Sequence, residues 1–94
     1  MKNRILPPPK NQMQEAFYLL LKFKKQTRRD FMNNGHIFNA PDCIMKLRRR
    51  GINIFCIDIS VVNRFGRVIS YGVYTLVNEV EAVDQYINMV NPGK

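Results

Sequence analysis

The sequence has no tryptophan, one histidine and two cysteines, and it is short of acids, with seven Asp and Glu against fifteen Lys and Arg. Each shortage excludes something. Cys43 and Cys56 form no Cys-x-x-Cys pair and His36 stands alone, so a zinc site lacks ligands, and no metal or other cofactor is expected. Both cysteines are expected as reduced thiols at inward positions of a helix and a strand. Apolar runs such as Phe17 to Leu21 fall far short of a membrane span. The opening residues, Met1 to Pro9, hold no apolar stretch of signal-peptide length, so a cytoplasmic protein without a membrane partner is expected. No Gly-rich phosphate loop precedes a helix, no close pair of carboxylates is placed to serve as a catalytic acid and base, and Asp58 is isolated in a strand. An enzyme is therefore not expected, nor is a small-molecule ligand.

What remains suits a small folded binding protein. Ninety-four residues make one domain, and a hydrophobic content of 46% is ordinary for a globular chain and too high for a disordered basic tail. The net charge of +8 is unevenly placed. Residues 1 to 50 hold twelve Lys and Arg against three acids, a balance of +9, while residues 51 to 94 hold three against four, a balance of −1. That asymmetry suits a polyanionic partner, the plain alternative being a solubilising excess of charge.

Pro7, Pro8 and Pro9 favour an extended segment, so residues 1–10 are expected as a flexible arm made basic by Lys2, Arg4 and Lys10. A first helix is predicted from about Gln12 to Lys25 by the spacing of Met13, Ala16, Phe17, Leu20 and Leu21. Thr27, followed three residues later by Asp30, has the form of a capping box opening a second helix. Phe31 and Met32 supply its buried side, and Asn33-Asn34-Gly35 closes it with a left-handed turn. Ile37 and Phe38 read as a short extended piece, a candidate strand for the later hairpin. Asn39 is placed as the N-cap of a third helix, with Pro41 in its first turn and Cys43, Ile44 and Leu47 on its inner face.

Gly51 ends that helix, and the chain runs at once into two β-branched strands, Ile52 to Val62 and Val68 to Leu76, joined by Asn63-Arg-Phe-Gly-Arg67. The first of these is apolar on much of both sides, which a small curved sheet half covered by helices would explain. Gly66 supplies a positive φ at the turn. Asn78 caps a last helix whose stripe, Val80, Val83, Ile87 and Val90, either closes the core or pairs with a second copy, giving a homodimer through residues 79–90.

A basic helix that stops and leads straight into a hairpin with a basic tip is an arrangement suited to duplex DNA. An α-helix fits the major groove and presents its early residues to base edges. Asn39 can bond adenine if its side chain is not consumed as the cap, Asp42 can accept from cytosine, Lys46 can reach guanine, and Met45 can meet a thymine methyl. Arg48, Arg49 and Arg50 point about 100° apart, so at most two face one groove, and Arg49 and Arg50 are taken as the contacts. Arg64 and Arg67 at the hairpin tip suit phosphates or a narrow minor groove. Arg28 and Arg29 lie in the first turn of the second helix, where its dipole disfavours cations, so a use against phosphate is expected.

From Met13 to Val77 the chain resembles the winged helix-turn-helix domains of bacteriophage and mobile-element proteins. The matching residues are Phe17-Tyr-Leu-Leu-Leu21, Thr27-x-x-Asp30-Phe31, Ile44-x-x-Leu47-Arg48-x-x-Gly51-x-x-Ile54, and Gly66 with Tyr74-x-Leu76. The resemblance implies an α+β fold of three helices and a β-hairpin wing with an added C-terminal helix, residues 11–77 forming the DNA-binding domain and residues 78–94 the added element. It implies double-stranded DNA as partner, the third helix as reader and Asn63 to Arg67 as wing. Asn39-Ala-Pro-Asp42 departs from the usual small polar lead-in, so individual base contacts do not carry over. The expected role is a transcriptional regulator of a phage or mobile element acting by operator occupancy. The alternative is a protein-interaction module or a replication or excision accessory factor.

Overall fold

Local capping chemistry sets where most helices of this chain begin. The computed structural model describes residues 6–92, so Lys2 and Arg4 of the expected arm lie outside the described residues. Helix α1 (Gln12–Phe23) opens at Asn11, whose side-chain oxygen accepts from the Gln14 N–H at 2.9 Å. It stops two residues before the expected Lys25 because Lys24 turns to a φ of 71° and releases the chain into a short strand, β1 (Lys25–Thr27). Helix α2 (Arg28–Gly35) carries the expected capping box, with Asp30 N–H donating to Thr27 Oγ1 and Thr27 N–H donating to Asp30 Oδ2, both at 3.1 Å. The left-handed residue that closes α2 is His36, at φ 53°, and neither asparagine nor Gly35. Gly35 serves a close approach instead, since a Cβ there would lie 2.9 Å from Leu19 Cδ1. Met32, expected on the buried side, is exposed, and Phe31 alone of α2 is fully buried.

Helix α3 (Ala40–Arg49) buries Ala40, Cys43, Ile44 and Leu47, as its apolar spacing predicts. It ends where Gly51 takes a φ of 89° and the N–H of Ile52 returns to Leu47 O at 3.1 Å. Two strands follow, β2 (Ile54–Val62) and β3 (Val68–Leu76), paired antiparallel without a break in register from Ile54 opposite Leu76 to Val62 opposite Val68. The third strand of the sheet is β1, which pairs with Val73 to Thr75 of β3 to give the order β1-β3-β2. Ile37 and Phe38 are not that strand: Ile37 turns into the core and Phe38 is exposed.

The hairpin corrects the expectation of a sheet half covered by helices. Beyond Ile54 every residue of β2 is exposed, Cys56 included, and β3 is buried only at Val73 and Leu76. Strands of nine residues reach roughly 30 Å, and the helices cover only their base. The molecule measures 54 × 29 × 22 Å in consequence.

Helix α4 (Glu79–Val90) begins at Asn78, whose Oδ1 accepts from Glu81 N–H at 3.1 Å. It packs on α1 and closes the core through Ala82, Tyr86 and Val90. The expected stripe is therefore rotated. Val80 is 78% exposed, and Val83 and Ile87 are half-buried, because the large ring of Tyr86 takes the inner position against Phe17, edge-on at 5.3 Å. A homodimer through residues 79–90 would have Val80 and the outer parts of Val83 and Ile87 to use.

Residues 6–10, expected in a flexible arm, lie against this body. Leu6 packs on the core, Tyr86 Oη donates to Pro7 O at 2.6 Å, and Lys10 N–H donates to the side chain of the buried Gln14 at 2.8 Å. The whole is an α+β fold with four helices and one three-stranded antiparallel sheet among the described residues.

Candidate nucleic-acid interface

Because α3 buries positions 40, 43, 44 and 47, positions 42, 45, 46 and 49 must turn outward together, and they do. Lys46 Nζ lies 3.2 Å from Asp42 Oδ2, one turn back along the helix. Arg49 Nη2 reaches Met45 Sδ at 3.7 Å. Lys46, Arg49 and Arg50 line a shallow cleft of about 420 Å³ whose remaining wall is Met13, from the start of α1. Met13 also packs against the core, as its place in the apolar stripe predicts, but its part in the cleft was missed by sequence reasoning. A methionine at the end of such a stripe carries no signal that separates core from cleft.

Asn39 stands at the cap position of α3, but its side chain makes no capping bond. The helix start is held instead by its backbone carbonyl, which accepts from Asp42 N–H at 3.1 Å and Cys43 N–H at 3.2 Å. The exposed carboxamide is therefore free for another use. Arg48 faces away from the cleft, and its Nε and Nη2 donate to Ile54 O at 3.3 and 2.9 Å. This separates it from Arg49 and Arg50, as the 100° step between neighbours requires.

The hairpin tip is tightly braced. Asn63 Oδ1 accepts from both Phe65 N–H and Arg67 N–H at 2.9 Å, and Asn63 N–H donates to Arg67 O at 2.8 Å. Gly66 adopts a φ of 81°, which any other side chain would strain. Arg64, Phe65 and Arg67 project from this brace into solvent. Arg28 and Arg29 are also exposed, in the first turn of α2.

The structure thus brings Asp42, Met45, Lys46, Arg49 and Arg50 together, with Asn39 at the head of the same helix. It does not bring Arg64 and Arg67 to them. The tip lies roughly 25 Å or more along the strands from the Arg48–Ile54 junction where α3 meets the hairpin.

Cys43 is buried, and burial, with a smaller effect from Asp42, pushes its thiol above the ordinary value, which keeps it protonated and unreactive at neutral pH. Among the described residues no three of His, Cys, Asp and Glu are grouped so that they could hold a metal ion, and no helix is long and apolar enough to cross a membrane.

Compared with models of protein families, with curated proteins and with solved structures, the chain matches none.

Proposed function

We propose that this chain is a winged helix protein that binds duplex DNA, with α3 in the major groove and the hairpin as wing. The observation that carries this reading is the outward face of α3, where Lys46, Arg49 and Arg50 border one cleft and Asn39 keeps its carboxamide unused. The element order supports it, with α3 running through one turn into the β2–β3 hairpin and β1 paired to β3 as the third strand. The long wing would set Arg64 and Arg67 on phosphates well along the duplex from α3, within the roughly 34 Å of one helical turn. The biological role that fits is a regulator of a phage or mobile element, working in the cytoplasm by occupying an operator.

Selection from random duplexes together with a salt titration tests the reading. If about five phosphates are neutralised, the log–log slope of affinity against salt is near −4 to −5, from roughly −0.9 per phosphate. A slope near zero, or no binding at low salt, sinks DNA binding in favour of a protein partner.

A further inference from the structure

The middle of the hairpin is chemically asymmetric. Residues opposite each other in an antiparallel pair share a face, so the unbroken register divides the hairpin into two sides. One side contains Asp58 and the pair Ser60 and Ser70, whose hydroxyls meet at 3.0 Å, between Cys56 toward the base and the exposed Val62 and Val68 pair toward the tip. The other presents Phe55, Ile57, Ile59 and Val61 from β2, with Ile69 and Tyr71 opposite the last two. Within the two strands that side carries no charge, the nearest on the same face of the sheet being Lys25 of β1, opposite Thr75 at its base, and the six residues are between 36% and 58% exposed.

Large apolar residues left about half open amount to roughly 500 Å² of continuous apolar surface, the upper range for the largest patch on a monomer. Nothing else in the described chain covers it. β2 is also an edge strand, without proline, bulge or lysine along its length, and its one charge, Asp58, lies on the opposite side.

We propose that this apolar side of the hairpin is a homodimer surface, on which a second copy packs face to face about a two-fold axis near Ile59 and Tyr71. Size is the first argument for a second copy. Two such faces together remove roughly 1,000 Å² from water, the lower bound for a specific interface, whereas a small ligand would leave most of the face wet. Charge is the second. The chain carries +8, so copies repel over most of their surface, but around Ile59 and Tyr71 this side brings no charge to the contact, Lys25 lying away from the axis beside Thr75. A strongly acidic partner, by contrast, is drawn to the cleft on α3. Symmetry is the third, because a face that is apolar along both strands, aliphatic but for Phe55 and Tyr71 among its six exposed residues, is complementary to itself under a two-fold rotation. The proposal stands independently of DNA binding.

The test is the mass of the full chain in solution, by light scattering and sedimentation at high micromolar concentration, for the wild type and for Ile59→Asp, Val61→Lys and Ser60→Asp. The expected result is a wild-type particle of twice the 11.1 kDa chain, a dissociation constant raised roughly a hundredfold or more by either face substitution, and no change from Ser60→Asp on the opposite side. Circular dichroism should show the helical body intact in all three, since these positions lie outside the core. A monomeric wild type overturns the proposal, as does a dimer that survives both face substitutions. A dimer weakened equally by Ser60→Asp points to edge pairing, and one dissolved by Val80→Asp alone points to α4; each result overturns it too.

Discussion

The guanidinium of Arg48 holds the carbonyl oxygen of Ile54, with Nε at 3.3 Å and Nη2 at 2.9 Å, and so fastens the end of α3 to the first residue of β2. Among three consecutive arginines this one is structural. Arg48→Ala should lower stability by about 1 kcal/mol, the contribution of a partly exposed charge-assisted bond, and affect duplex binding mainly through that loss. Arg49→Ala and Arg50→Ala should leave the denaturation midpoint nearly unchanged and weaken binding to every duplex. Equal stability losses from all three in urea melts would contradict this division.

Asp42 holds Lys46 at 3.2 Å, so the expected reading lysine is partly neutralised by its own helix. Exposed pairs of this kind contribute about 0 to 1 kcal/mol, and Asp42→Asn should leave stability nearly unchanged. It should strengthen binding to duplexes in general, because a cation is released and an anion removed from the facing surface. Affinity that falls for one base pair only would instead make Asp42 a direct acceptor from cytosine.

Reading and anchoring are separable by substitution. Lys46→Ala should change discrimination at one base pair by about 1 to 3 kcal/mol, whereas Arg64→Ala and Arg67→Ala, far out on the braced tip, should weaken all duplexes alike. Competition assays against sites altered one base pair at a time give the answer. Equal, sequence-independent losses from all three would remove α3 as the reader.

Much of the fold was legible where local chemistry decides it. The Thr27 and Asp30 capping box, the Asn78 cap, the inner face Cys43, Ile44, Leu47 and the turn at Gly66 each follow from a few neighbouring residues. What was not legible depends on distant partners. β1 is three polar residues that become a strand only because Val73 to Thr75 lie beside them. An apolar residue on both sides of β2 reads the same whether the sheet is covered or bare, so Cys56 was expected inside and lies outside. In α4 the valine and isoleucine spacing outvoted Ala82 and Tyr86, although the phenol ring buries more surface than any valine. At the candidate site, spacing limited the arginines of α3 facing one groove to two, but only the position of the Ile54 carbonyl shows that Arg48 is the one turned away.

Thr75 Oγ1 is buried with no hydrogen-bond partner among the described residues. A hydroxyl in that state costs free energy that a methyl group of the same size does not. Thr75→Val, which also suits a strand, should therefore raise stability by about 1 kcal/mol, seen as a higher urea midpoint at unchanged slope. A lower midpoint would mean that the hydroxyl is satisfied in solution, for instance by water.

Tyr86 is fully buried beside Phe17 and Tyr18, and its hydroxyl donates to Pro7 O at 2.6 Å. Burial, with a smaller contribution from Tyr18, pushes its phenol up to about 12. In the unfolded chain the same group ionises near the ordinary value of about 10. Below pH 10 both states hold the proton, and the stability of the fold is unaffected by this residue. Between pH 10 and about 12 the unfolded chain loses the proton first, so stability falls, by roughly 2 to 3 kcal/mol once the pH reaches 12. Tyr86→Phe keeps the ring contacts and removes both the hydrogen bond and the titration. It should cost about 1 kcal/mol at pH 7 and flatten the alkaline loss, though not abolish it, since burial also raises Tyr74. Urea midpoints of the two proteins at pH 9 through 12 decide the matter. Curves that stay parallel across that range would show that Tyr86 is not the group responsible for the alkaline loss.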